Sequence, residues 1–232
     1  MDQETPVSRL DLRTVLPDAA DTWPSAAVRP LVDGRDVLAR AHPGGRSSSY
    51  QYLWFGPPES WPLWAAEEPR RVVLSNNDCD PGCCGGVFVT VRRRGPHVEW
   101  VDWENTHDVR AALPAEVRFD AVRYDAELAR SAADHDWEEP VDTAARLLAR
   151  RTAENGWYER WGCTPYVNGV QVRERGASAA VVMHFAVGPS GAGDSGRWHL
   201  LPLAPGEPVE DQVASFVEWI TANDPRDTAA GR

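Results

Sequence analysis

Three of the chain's four cysteines fall in one short segment, Cys79-Asp80-Pro81-Gly82-Cys83-Cys84-Gly85-Gly86. Thiolates at such spacing can bind zinc, exchange disulfides, or simply fill space. The Cys79-x3-Cys83 interval suits zinc ligation, but a structural site wants a second ligand pair elsewhere. Here Cys163, or a histidine such as His97, would have to complete the set, and the adjacent Cys83 and Cys84 would have to converge on one ion. The candidate metal residues are therefore Cys79, Cys83, Cys84 and Cys163, with zinc as the alternative to the expectation of no cofactor. A redox role needs an electropositive setting and a resolving thiol. The turn supplies neighbouring thiols, while Asp78 and Asp80 oppose thiolate formation. The plainest reading is that small, weakly polar cysteine side chains fill a tight glycine-assisted turn. Gly82, Gly85 and Gly86 have a phosphate loop's composition but lead into a strand and not a helix N-terminus, which excludes nucleotide binding on this motif.

Other groups carry weaker chemistry. The aromatic, proline-rich stretch 46–69 offers Trp54, Trp61 and Trp64 as ligand-facing rings; packing beneath the loop is the competing reading and the one preferred. The acidic run Asp134-His135-Asp136-Trp137-Glu138-Glu139 reads as a solvated helix boundary. Glu104 with His107-Asp108 could move protons, but no activated nucleophile accompanies them. His184 reads as a core histidine, and His42 and His199 show no pattern.

The elements that would position these residues follow from periodicity. Val87, Val89 and Val91 alternate with Phe88, Thr90 and Arg92, and after the turn Arg94-Gly95-Pro96-His97 the alternation resumes, with Val98, Trp100 and Asp102 opposite Glu99, Val101 and Trp103. The spacing predicts a hairpin, preceded by the strand Val72-Val73-Leu74, so that the cysteine turn joins two strands. Arg35 to Ala41 is expected as a two-turn helix. Asp120 to Gly156 reads as a helical pair, with Asp120 or Asp125 as N-cap, Pro140 opening the second helix and Asn155-Gly156 closing it. Trp157 to Cys163 is expected to return to strand, and Asn168-Gly169 to turn a hairpin. The run Ala179 to Val187 reads as a strand buried on both faces. Val209, Val213, Phe216, Val217 and Ile220 define a C-terminal helix. The expected fold is α+β, with a mainly antiparallel sheet, a helical pair in mid-chain and a C-terminal helix. Residues 1–24 are expected as a partly disordered segment, 25–224 as one domain and 225–232 as a disordered tail.

Composition bounds the rest. The 232 residues carry 35 acidic against 24 basic side chains, a formal charge of −11. That balance argues against nucleic-acid and anionic-membrane partners. No stretch approaches a membrane span, and the opening residues lack a basic and an apolar leader region, so a cytoplasmic location is expected. Every basic residue is arginine, the bias of high-GC coding, which weakens any argument from a particular arginine.

Two segments resemble an uncharacterised protein family of high-GC bacteria. One is CDPGCCGGVFVTVRRRG followed by Val98 to Trp103. The other is Arg118-Phe119-Asp120 with Tyr124-Asp125-Ala126-Glu127, running on to Asp134–Trp137. The resemblance spans about residues 28 to 160 and implies no activity. Two functional expectations remain. The first is a non-enzymatic interaction module, of the immunity or accessory type, with a protein partner. The second is a thiol- or zinc-dependent protein, an oxidoreductase among the options, centred on Cys79, Cys83 and Cys84.

Overall fold

The computed structural model describes residues 6–17, 24–49, 53–54, 57–76, 84–188 and 196–231. The fold is α+β with mainly antiparallel sheets and a C-terminal helix. By contact the chain forms two compact units, one of residues 1–16 and 26–134, the other of 17–25 and 135–232. The expected domain of residues 25–224 thus spans both.

The first unit holds β1 (Val7–Ser8), β2 (Leu10–Val15), β3 (Ala27–Val32), β4 (Arg35–Asp36), β5 (Arg46–Ser47), β6 (Arg70–Asn76), β7 (Gly86–Arg94), β8 (His97–Asn105), β9 (Val117–Asp120) and α1 (Ala121–Ala133). Strands β1-β9-β8-β7-β6-β5 form a six-stranded sheet, antiparallel except for β1 on β9, and β2-β3-β4 form a second sheet. Arg35–Ala41, expected as a helix, instead gives the short strand β4 and a turn, because Asp36 and Arg35 pair with Leu31 and Val32.

Alternation puts Val87, Val89, Val91 and Val98 in the core, while Arg92 of β7 pairs with Glu99 of β8 at 2.8 Å on the outer face. The alternation breaks within β8. The register shifts opposite Phe88–Thr90, and Asp102 takes a left-handed φ of 50°. This bulge buries Trp100, Val101 and Trp103 together and leaves Asp102 outside, in place of the strict alternation that periodicity predicts. The Trp100 and Trp103 rings then meet edge-on at 5.9 Å. Helix α1 starts at Asp120, whose side chain accepts from Arg123 N, and lays Tyr124 and Leu128 on the sheet. Glu127 accepts from Leu12 N, and Arg130 donates to Leu12 O, fixing the helix to β2. Trp54 and Trp61 of the aromatic stretch are buried and meet edge-on at 4.9 Å, whereas Trp64 is half-buried.

The second unit contains α2 (Pro140–Glu154), α3 (Trp157–Trp161), β10 (Cys163–Glu174), β11 (Ala180–Val187), β12 (Arg197–Pro202), α4 (Val209–Ala222), α5 (Pro225–Thr228) and β13 (Ala230–Gly231). The sheet order is β10-β11-β12-β13. Three expectations change here. Trp157–Trp161 is helical, entered and left through left-handed Gly156 and Gly162, and buries Trp157. Asn168-Gly169 turns no hairpin: it lies in a register irregularity of one long strand, where a side chain at Gly169 would meet the carbonyls of Tyr166 and His184. Residues 225–231, expected as tail, form α5 and β13, the latter pairing with Arg197 and Trp198. Strand β11 is central, as its apolar run predicts.

His199 on β12 faces inward among Trp157, Phe185, Phe216 and Trp219, with ring centroids 5.4–6.3 Å away, and its Nε2 has no partner among the described residues. Burial lowers its pKa from 6.5 to about 4. The unfolded chain therefore binds a proton that the folded chain refuses, and stability falls as pH drops from 6.5 to about 4. The expected loss is about 3 kcal/mol across that window. Urea melts of the wild type against His199→Phe check this: the variant should lack this part of the pH slope, and parallel slopes would refute it.

Candidate functional site

Four strands of the first unit end side by side. Arg46 opens β5 opposite Asn76, which closes β6; Asn76 pairs with Gly86, which opens β7, and Val87 pairs with Asn105, which closes β8. Three connections consequently share one end of the sheet: residues 37–45 with His42, the cysteine turn, and residues 106–116 with His107. Polar contacts tie them together.

His42 is buried and its Nδ1 lies 3.0 Å from the Ser75 hydroxyl, also buried. Its ring stacks on His107 with centroids 4.5 Å apart and planes tilted by 31°. His107 Nδ1 lies 3.3 Å from the Cys84 carbonyl. Asn105, buried at the end of β8, donates to Ala41 O at 2.7 Å and accepts from the amides of His107 and Asp108. Thr106 exchanges hydrogen bonds with Gly86, its amide donating to Gly86 O and its hydroxyl accepting from Gly86 N. Glycine permits the close approach. A side chain at Gly45 would strike His42 and Ser75, and one at Gly85, held at φ 74°, would lie 2.6 Å from His107 N.

Cys84 stands at this end, exposed and disulfide-bonded. Cys79 and Cys83 lie outside the described residues. Cys163 belongs to the second unit, where it is buried, forms no disulfide and directs Sγ to Trp161 O at 3.8 Å. His97 sits at the opposite end of the hairpin, paired with Arg94, so the nine residues of β7 separate it from the cysteine turn by about 27 Å. It cannot share a ligand set with Cys84. Among the described residues no three His, Cys, Asp or Glu side chains converge in metal-holding geometry.

The other sequence candidates are drawn to separate partners. Glu104 pairs with Arg71 at 2.5 Å, while Asp108 caps Arg110 N. In the acidic run Glu138 takes Arg146 at 2.6 Å and His135 at 3.2 Å, and Asp134 faces Arg130. The His42–Ser75 pair has the separation of a base and a nucleophile, but Ser75 is 1 % exposed, and a hydroxyl sealed in this way orients the imidazole and does not attack a substrate. Sequence reasoning missed both residues; the only signal was the His42-Pro43-Gly44-Gly45 turn, whose last glycine the imidazole needs.

Two of the segments singled out in the sequence, the hairpin and the Arg118–Glu127 stretch, meet in the first unit. Val98 pairs with Phe119, and Trp100 Nε1 donates to Tyr124 OH.

No protein-family model, curated protein or solved structure matches this chain.

The glycine cradle makes a controlled prediction. Gly45→Ala, forced against His42 and Ser75, should cost about 1 to 3 kcal/mol. Gly44→Ala, with nothing within 4 Å of the new methyl, should stay within about 0.5 kcal/mol of wild type. Chemical denaturation of both variants tests it; equal effects would mean the histidine–serine pair yields freely.

Proposed function

We propose that the protein is a non-enzymatic interaction module of the immunity or accessory type, acting in the cytoplasm and meeting a protein partner through the loop end of the first unit. The observation that carries this reading is the loop end itself: exposed, disulfide-bonded Cys84 beside connections 37–45 and 106–116, which His42, Asn105, Thr106 and His107 tie to one another and to Cys84–Gly86. Loops held on a rigid sheet are where recognition residues concentrate, and holding them in one conformation reduces the entropy lost on binding. A chain of formal charge −11 attracts a basic partner and speeds its arrival. Val109, 86 % exposed beside His107, supplies a probe position. A photo-cross-linking residue at 109 should capture a discrete partner in the native cell, with capture weakening as salt rises. The same residue at exposed Val122 on α1 should capture none. Equal capture at both positions, or none at 109, removes the reading.

A second reading is favoured by one observation, the exposure of a disulfide-bonded cysteine. Accessible disulfides are the ones open to exchange. In this reading a dithiol reductant attacks one sulfur of the Cys84 disulfide and forms a mixed disulfide. Its second thiolate then displaces the protein sulfur, so two electrons and two protons pass to the turn while the reductant closes its own disulfide. Zinc binding belongs to that reduced form, since a metal needs thiolate sulfur. Mild dithiol treatment of the folded protein should expose two additional titratable thiols. A disulfide that opens only after denaturation would exclude exchange.

A further inference from the structure

The second unit has a groove that the loop-end reading does not use. It lies on the face of β10, β11 and β12 that carries Val182, His184, Trp198 and Leu200, and encloses about 660 Å³. Cross-strand pairing orders its wall into rungs: Ala180 against Pro202, Val182 against Leu200, His184 against Trp198. The middle rung is aliphatic, and Leu200 is 42 % exposed there although it is a large apolar side chain. The volume is that of a small-molecule site, and the lining has the usual character of one, an apolar wall with a few polar groups.

The polar groups are set by a bulge. Neighbouring residues of a strand point to opposite faces, so Arg173 and Glu174 should not both reach one groove. The register of β10 against β11 shifts between Val172 and Glu174, leaving Arg173 as the extra residue, and both Arg173 and Glu174 line the cavity. Arg173 enters no ion pair or hydrogen bond among the described residues. Adjacent positive and negative groups match a ligand that carries both charges on one carbon, because each of its charges then finds an opposite one. A simple carboxylate would meet Arg173 and be opposed by Glu174.

We propose that this groove binds a free α-amino acid with a large apolar side chain, its carboxylate on Arg173, its ammonium on Glu174, and its side chain along Val182, Leu200 and Trp198. The inference is independent of the interaction reading and of the cysteine turn.

The test is an amide-shift titration of the full-length, isotopically labelled protein with L-leucine and L-tryptophan. Shifts should localise to Ala180, Val182 and Leu200. N-acetyl-L-leucine and L-leucinamide, each lacking one charge, should bind at least about tenfold more weakly, as should Arg173→Gln and Glu174→Gln with the free amino acids. Both substitutions are at exposed positions, and their unchanged spectra without ligand would show an intact fold. No localised shifts up to about 10 mM ligand would overturn the proposal. So would decanoate or the blocked analogues binding as well as the free amino acid, which would leave only an apolar groove.

Discussion

One buried phenol holds the first unit in its arrangement. Tyr124 OH accepts from Trp100 Nε1 at 3.1 Å and donates to Leu63 O at 2.7 Å, joining the helix, the hairpin and the aromatic stretch at a single oxygen. All three groups are shielded from water, so each would carry an unmet desolvation cost without the others. Burial raises the pKa of that hydroxyl, keeping it in the protonated form that can do both tasks. Phe119 and Trp100 close around the same ring at 5.5 and 6.4 Å. The loop end inherits its geometry from this centre, since β8, which carries Asn105 and leads to His107, is the strand that Trp100 anchors.

The second unit solves an equivalent problem with charge. Asp142, fully buried in the first turn of α2, is gripped by both terminal nitrogens of Arg175 at 2.7 and 2.8 Å, and the same guanidinium reaches Glu139 and the Pro24 carbonyl. Burial pushes the Asp142 carboxyl up and Arg175 opposes it. Asp142 also closes a capping box with Glu139, so one carboxylate both starts the helix and docks the connection that follows β10. A pair of this kind adds less to stability than its distances suggest, because two charges must leave water to form it. What it specifies is orientation: only one placement of α2 against that connection satisfies both partners.

The readable parts of the sequence were those where local pattern and burial agree. Val87, Val89 and Val91 face the core as period 2 requires, Asp120 caps α1, and Pro140 opens α2. Pattern failed where the backbone departs from regular repeat. The Asp102 bulge places Trp100 and Trp103 on one side, and the irregularity around Gly169 absorbs a dipeptide that elsewhere would reverse the chain. Trp157–Trp161 looked extended because aromatic residues favour strands, but flanking left-handed glycines make it a single helical turn and a little more. At the loop end the cysteines were conspicuous and the histidines were not. His42 and Ser75 are 33 residues apart in sequence and meet only because β5 and β6 pair.

The notch at Asp102 has a further consequence, for how the hairpin resists error. Antiparallel strands of alternating valine can slide by two residues and recover nearly the same contacts, which opens routes to mispairing between molecules. Sliding β8 would carry the left-handed kink onto Trp100 or Glu104 and withdraw one tryptophan from the edge-on pair, with no compensating contact. A bulge flanked by two large rings thus acts as a key cut for one lock, and ties β8 to a single register on its valine-rich neighbour.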